Sequence, residues 1–345
     1  MKGKDEERHI TKIRNFNRYR ILKHLHLHGK TSRANLARIL HLSPPTISRN
    51  VKPYIDGLIH ESGKMPTKSG RRPDLLIFNY SYRKVLSIQV DRDFMCAGVG
   101  DLSGRLLDFY KVDKSMYMFS DFQKELKIIL ERLKDRNDIA AVVFGISGYV
   151  LPNGSFHISV CNWEGLKVDI VVKQVKEIFK DALVIFENDA NLFAFRELHL
   201  SKKTFKHLVC IYWGRGIGMG LVLDGSLYVG CGMAGEIGMC LQNSKTLEEY
   251  LMESIEVNAE KEEVARTLFN LSRIFDPEAI VLNGRFEAFF DDLQTIWSKK
   301  YDDPCKLMIS EGGERAIVEG GVCLGSEMFL KNVTTGVKTD EKLWR

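Results

Sequence analysis

The stretch IFENDANLFAFRE, residues 185–197, opens as an apolar strand, sets Glu187, Asn188 and Asp189 side by side, and continues into a helical pattern. Open α/β sheets place ligand groups where a strand ends and a helix begins. A carboxylate there has two possible jobs: general base toward a hydroxyl, or hydrogen-bond acceptor for ligand hydroxyls such as those of a sugar. The same residues suit a plainer role, because Asn188 or Asp189 can cap the helix that starts at Ala190. A second chemical feature is the glycine run at Gly214, Gly216, Gly218 and Gly220, which reads equally as a phosphate-approaching loop or a tight β-turn.

The elements around these groups alternate. From Lys84 onward KVLSIQVD, FMCAGVGD and RLLDFYKVD read as strands, followed by a helix near 119–135, the strand IAAVVFGISGYV, a helix near 168–179 and the strand ALVIFEND. HLVCIYWGRGIGMGLVLDGSLYVG reads as two strands joined by the glycine turn. Such alternation predicts an α/β fold with partly parallel sheets. Trp163 in CNWEG is read as core rather than as a sugar-stacking platform.

The first eighty residues are built differently. Through Arg72 there are 17 Lys and Arg against 5 Asp and Glu, a net of +12 in a chain whose total is +5. Concentrated basic charge is an electrostatic footprint for nucleic acid. Phe16, Tyr19, Ile21, Leu22, Leu25 and Leu27 are spaced so that most fall on one helical face, in a helix that ends at Gly29 as a C-cap. His24, His26 and His28 on that helix read as surface or DNA-facing residues. TSRANLARILHLS supplies a short helix capped by Thr31 or Ser32, and SPPTISRNVKPYIDGLI a second one capped by Ser43, with prolines in its first turn. This is a helix-turn-helix, with Thr46, Ser48, Arg49 and Asn50 expected to be exposed toward base edges and phosphates. Two strands then bracket a basic loop in which Lys64, Lys68, Arg71 and Arg72 can reach backbone phosphate or a minor groove, which is the pattern of a wing. The partner expected is double-stranded operator DNA.

Composition sets the outer limits. With 345 residues and 44% apolar content the chain can bury substantial cores. No apolar run reaches the roughly 18 to 20 residues that cross a bilayer, and the N-terminus has no apolar leader segment, so cytoplasmic work without a membrane partner is expected. Seven scattered cysteines without a C-x-x-C pair predict buried thiols in a reducing compartment.

Taken together, SGRRP, GISGYVLPNGSF, FENDANLFAFRE, GRGIGMGLVLDGSLYVG, AGEIG and LSRIFDPEAIVLNG resemble, in order, the motifs of the ROK family of repressors, open reading frames and kinases. The resemblance implies a winged helix-turn-helix over residues 1–80 and a two-lobed, actin-like (ribonuclease H-like) sugar-kinase fold over 81–345, assembled as a homodimer or homotetramer. It assigns sugar contacts to Asn188, Asp189, Glu236 and Glu248, and in a kinase it would make Asp189 the catalytic base. Three departures matter. Where family kinases carry Asp-x-Gly-x-Thr, this chain reads Asp91 to Met95 with Asp93 and Phe94 in place of open space, poor company for a polyphosphate. The second phosphate motif reads Gly214, Arg215, Gly216, Ile217, Gly218, so nucleotide contacts there are reduced to three glycines and an arginine still able to meet an anion. The family's zinc histidine is replaced by Met239 and its cysteine cluster by Cys240 alone, so no metal is expected and that thiol is read as packed.

The expectation is therefore a sugar-responsive DNA-binding repressor with a monosaccharide effector and no cofactor. The alternative is an ATP- and Mg-dependent hexose kinase of the glucokinase or N-acetylglucosamine kinase type. A DNA-binding scaffold with a ligand-free domain fits less well, because all four sugar-contact positions are retained together.

Overall fold

The computed structural model describes residues 2–64, 74–150, 156–158, 168–201, 204–242, 244–253 and 257–335. Its N-terminal part comprises α1 (Lys2–His28), β1 (Lys30–Ser32), α2 (Arg33–Leu40), α3 (Pro44–Val51), β2 (Ile59–Lys64) and β3 (Asp74–Phe78). Gly29 ends α1 in a left-handed conformation at φ 76°, and its N–H donates to Leu25 O at 2.7 Å. The Ser32 and Ser43 hydroxyls accept from the N–H groups of Asn35 and Thr46 and so cap α2 and α3. β1, β3 and β2 form an antiparallel sheet in that order. Helix-turn-helix and flanking strands thus occur where the caps and prolines place them. The wing residues Lys68, Arg71 and Arg72, and Trp163, lie outside the described residues.

Next come β4 (Lys84–Val90), β5 (Met95–Asp101), β6 (Leu106–Val112), α4 (Phe119–Arg132), β7 (Ile139–Ile146), β8 (Gly148–Val150), β9 (Phe156–Ile158), α5 (Val168–Ile178), β10 (Leu183–Asn188) and α6 (Asp189–Leu200). The remainder adds β11 (Leu208–Trp213), β12 (Ile217–Leu223), β13 (Ser226–Tyr228), β14 (Leu241–Gln242), β15 (Lys245–Thr246), α7 (Leu247–Glu253), α8 (Val257–Phe275), β16 (Ala279–Gly284), α9 (Phe290–Ile296), β17 (Lys306–Ile309) and α10 (Ala316–Thr335).

Two five-stranded sheets share one plan. In the first, the antiparallel meander β4-β5-β6 is extended by parallel β7 and β10; in the second, the meander β11-β12-β13 is extended by parallel β16 and β17. The strand β13 is one more than the sequence pattern predicts, its three residues being too short to show a period. This doubled arrangement is the two-lobed fold of sugar kinases.

Helix α6 sits where the lobes meet. Eight of its residues, from Asp189 through Leu198, are buried, Asp189, Asn191 and Arg196 among them, so little of the helix faces solvent. Neighbours approach it backbone to backbone: a Cβ on Gly220 of β12 would lie 2.3 Å from Ala190 O, and one on Gly320 of α10 would lie 2.0 Å from Leu192 O. Only glycine permits either contact. α10 in turn reaches α1, where Tyr19 Oη donates to Glu327 Oε1 at 3.1 Å and Lys23 Nζ lies 3.3 Å from the same carboxylate.

Substituting Gly320→Ala or Gly220→Ala should therefore push α6 from its seat and destabilise the protein by about 1–3 kcal/mol, read as an earlier midpoint in urea unfolding. An unchanged midpoint in both variants would contradict this packing.

Candidate functional site

β4, β7 and β10 run parallel, so their C-terminal ends bring Arg92, Ser147 with Gly148, and Asn188 with Asp189 to one sheet edge. Arg215 and Gly216 in the turn after β11, Gly218 of β12, Glu236 after β13 and Glu248 of α7 face them. Together these residues and Tyr212 line a cavity of about 340 Å³, within the usual size of small-molecule sites. The structure thus brings Asn188, Asp189, Glu236 and Glu248 into one cavity. Gly214 does not line it. Arg92, Ser147 and Tyr212 are lining residues that motif reading missed. The available signal was positional, because Arg92 and Ser147 follow apolar strands that pair in parallel with the strand ending at Asn188.

Both roles considered for Asn188 coexist. Its Oδ1 accepts from Asn191 N–H at 3.0 Å and caps α6, while its Nδ2 donates to Gly148 O at 2.5 Å and ties β10 to the strand end beside it. Glu187 stays out of the cavity lining; its Oε1 accepts from Asn191 Nδ2 at 2.9 Å and holds the first turn of α6. Asp189 accepts from Ser147 Oγ at 2.7 Å and from Ala190 N–H at 2.8 Å. Burial pushes its carboxyl up to about 7 against those two hydrogen bonds, with Asp91 and Glu236 adding to the rise. Desolvation wins because the side chain is enclosed.

The glycines of the second turn are filled by this protein's own side chains. A Cβ at Gly214 would meet the Tyr212 ring at 2.8 Å, one at Gly216 the Glu248 carboxylate at 3.0 Å, and one at Gly218 the Ala190 methyl at 2.9 Å. The first phosphate segment is a closed turn: Asp91 N–H donates to Phe94 O at 3.1 Å, and the Asp93 N–H to Asp91 Oδ1 at 3.4 Å. Across the cleft, Arg215 Nη1 donates to Asp93 Oδ2 at 2.9 Å. Asp93 and Arg215 thus join, across the cleft, the two segments in which the sequence departs from the family's phosphate motifs. The residues at the zinc position do not suit that metal: among the described residues no three His, Cys, Asp or Glu side chains gather as a metal site. Cys240 and Cys231 are exposed, contrary to the expectation of packed thiols: Cys231 lies in the turn after β13, and Cys240 follows exposed Met239 as the chain leaves the buried 3₁₀ residues Ile237 and Gly238.

On the DNA-facing side, Ser48 and Arg49 are exposed on α3 and Thr46 is half-buried, its hydroxyl 2.8 Å from the Ser43 hydroxyl. Asn50 departs from expectation: it is buried and its Nδ2 donates to Thr46 O at 2.9 Å, because the helical period turns it toward the same side as Ile47 and Val51. Arg38 and Lys52 are exposed basic neighbours that pattern reading passed over. His26 is likewise not a surface residue. Its ring is buried against Phe78, Tyr80 and His199 and bonds to Leu102 O.

Comparison with known proteins agrees with this architecture. Residues 85–249 match the ROK family and residues 17–56 a winged helix-turn-helix DNA-binding family. The chain is 27% identical over 240 residues to a xylose repressor of Lactiplantibacillus pentosus and 30% identical over 245 residues to one of Staphylococcus xylosus, covering 67% and 66% of this chain. The chain spans 61% of the length of each of these relatives. Among solved structures, a ROK family transcriptional regulator described as a homologue of the E. coli MLC protein superposes with TM-score 0.75 at 18% identity, covering 94% of this chain and 99% of that one. A ROK family glucokinase from Streptomyces griseus, in complex with glucose and AMPPNP, superposes with TM-score 0.56 at 19% identity over 70% of this chain and 98% of that one. This chain carries a ROK-family domain behind an N-terminal winged helix-turn-helix.

The raised Asp189 carboxyl carries a sign that can be checked. Between about pH 4 and 7 the folded state keeps a proton that the unfolded state has released, so this group's contribution to stability falls as pH rises and the cost is complete above about pH 7. Relative to wild type, Asp189→Asn should be at least ~1 kcal/mol more stable at pH 8 than at pH 4.5 in urea unfolding. A pH-independent difference would refute the burial argument.

Proposed function

We propose that this protein is a cytoplasmic, sugar-responsive transcriptional repressor: a DNA-binding unit over residues 1–80 and a sugar-binding unit over 81–345, acting as a homodimer or homotetramer on a two-fold operator. Arg49, Ser48 and Thr46 on α3, with Lys68, Arg71 and Arg72 of the wing, would contact the operator. Asn188, Asp189, Glu236 and Glu248 would hold the hydroxyls of a monosaccharide in the cavity between the lobes. Carboxylates and amides suit vicinal hydroxyls, and leaving such groups unpaired in a closed cleft costs about 1–3 kcal/mol each, which selects one stereochemistry over another. The relatives named as xylose repressors make xylose the first sugar to try.

One observation carries the reading. α6 begins at Asp189 in the cavity and ends beside the DNA-binding unit, where the rings of His199 and His26 of α1 lie 5.8 Å apart between centroids. Phe195 and Leu198 of α6 line a small void together with Tyr19 and Lys23 of α1 and Glu327 of α10. Sugar held at one end of a rigid, buried helix shifts the other end against α1 and changes the spacing of the two recognition helices in the dimer. A coupling of about 1–3 kcal/mol gives 5- to 150-fold regulation.

The second reading, an ATP-dependent hexose kinase, draws on Asp189, whose carboxyl near 7 is matched to general-base work at neutral pH. Against it stands the Asp93–Arg215 pair across the phosphate side of the cleft.

The test is operator binding by fluorescence anisotropy with and without a bound sugar, and product analysis after incubation with sugar, ATP and magnesium. A shift of fivefold or more in operator affinity, about 1 kcal/mol, without sugar phosphate is expected, and Arg49→Ala should weaken operator binding at all sugar concentrations. A sugar that binds and leaves operator affinity unchanged would sink the repressor reading; turnover abolished by Asp189→Asn would establish the kinase.

A further inference from the structure

The outward face of α3 holds a small set of groups able to tell one base from another. Ile47, Asn50 and Val51 are buried, and the 3.6-residue period then turns Pro45, Ser48, Arg49 and, just beyond the helix, Lys52 outward together, all four exposed. Neighbouring polar groups are already engaged. The Asn50 amide donates to Thr46 O at 2.9 Å, and the Thr46 and Ser43 hydroxyls lie 2.8 Å apart. Other arginines of the unit are held in the same way: Arg20 Nη2 donates to Leu40 O at 3.0 Å, Arg38 Nη2 to Asn35 Oδ1 at 2.9 Å, and Arg33 pairs with Glu61. Arg49 has no such partner among the described residues. Residues 8–55 contain eleven Lys and Arg and no Asp or Glu, so no carboxylate of that stretch competes for its guanidinium.

We infer, on the repressor reading above, that each operator half-site presents a guanine to Arg49 and, about two base pairs away toward the N-terminus of α3, a thymine methyl to Pro45. In the major groove guanine offers O6 and N7 as paired acceptors, which a guanidinium fork meets with two hydrogen bonds; no other base offers that pair. Pro45 has no N–H and no polar side-chain atom, so its ring can meet only an apolar group, and the C5 methyl of thymine is the one that B-DNA shows in that groove. The two residues are four apart, about 6 Å along the helix, which is about two base-pair steps. Ser48 can donate or accept and so discriminates little. Asn50 is of a type that suits adenine, and its bond to Thr46 O withdraws it from readout. Lys52 lies past the end of α3, and Arg38 is on α2, the helix that crosses the duplex backbone in this motif, so both meet phosphate and add affinity without sequence.

The test is selection of duplexes from a random-sequence pool by the full chain, followed by anisotropy titration of the selected duplex over a range of salt. The recovered half-sites should share a guanine with a thymine about two base pairs away. Adenine in place of that guanine should weaken wild type about 5- to 150-fold, 7-deazaguanine, which lacks N7, should weaken it as well, and Arg49→Ala should be indifferent to both. Arg49→Gln should change the preference at the same position from guanine to adenine, a gain that only a folded protein can show. Deoxyuridine in place of the thymine removes one methyl and should weaken wild type about fourfold, with no effect on Pro45→Ser. Lys52→Ala should weaken all duplexes alike and lower the salt slope by about one. If Arg49→Ala weakens every duplex alike and keeps the base preference, Arg49 is a phosphate contact and the inference is overturned. A selected half-site without guanine, or a base preference lost in Asn50→Ala, overturns it as well, and an unaffected deoxyuridine duplex removes Pro45 from it. Each of these leaves the repressor reading standing, whereas recovery of no common sequence by wild type would overturn both.

Discussion

The close seating of α6 between the lobes is the contact on which the rest of the structure depends. Gly220 and Gly320 bring β12 and α10 against the carbonyls of Ala190 and Leu192, leaving no room for a side chain at either point. The helix is consequently held from both lobes at its first turn, the turn that carries Asp189 into the cavity. Close-packed interiors deform little and transmit displacement. A helix seated this tightly moves as a unit or not at all.

Electrostatics then divides the cavity. One side gathers buried or half-buried oxygen acceptors, with Asp189 so enclosed that its carboxyl sits near 7. The other side gathers the Asp93, Arg92 and Arg215 charges on exposed turns. Desolvation governs the first side and salt-screened pairing the second. The two sides of one cavity are thus held by different forces, burial on the first and exposed ion pairs on the second.

Much of this was legible in the sequence. Caps at Ser32 and Ser43, the prolines at 44 and 45, and Gly29 marked the helix-turn-helix because capping chemistry is local. Strand alternation marked the first sheet, and motif order marked the four sugar-contact candidates that the fold gathers in one cavity. What was not legible depended on distant neighbours. Asn50 and His26 looked exposed by residue type, yet helix phase and packing against Phe78 and His199 bury them. α10 carries Gly320, Gly321 and Gly325, which argue against a helix by propensity; they serve instead as contact points for Leu192, Ser87 and Val85. Arg92 and Ser147 became lining residues only through the parallel pairing of β4, β7 and β10, which no single motif encodes.

If α6 joins the cavity to the DNA-binding unit, amide hydrogen exchange with and without a saturating sugar ligand will register it at both ends of the helix. Altered protection is expected along residues 189–200, continuing into 19–28 of α1 and into α10 around Glu327. Altered protection confined to the cavity rim around residues 188, 236 and 248, with α1 unchanged, would contradict it.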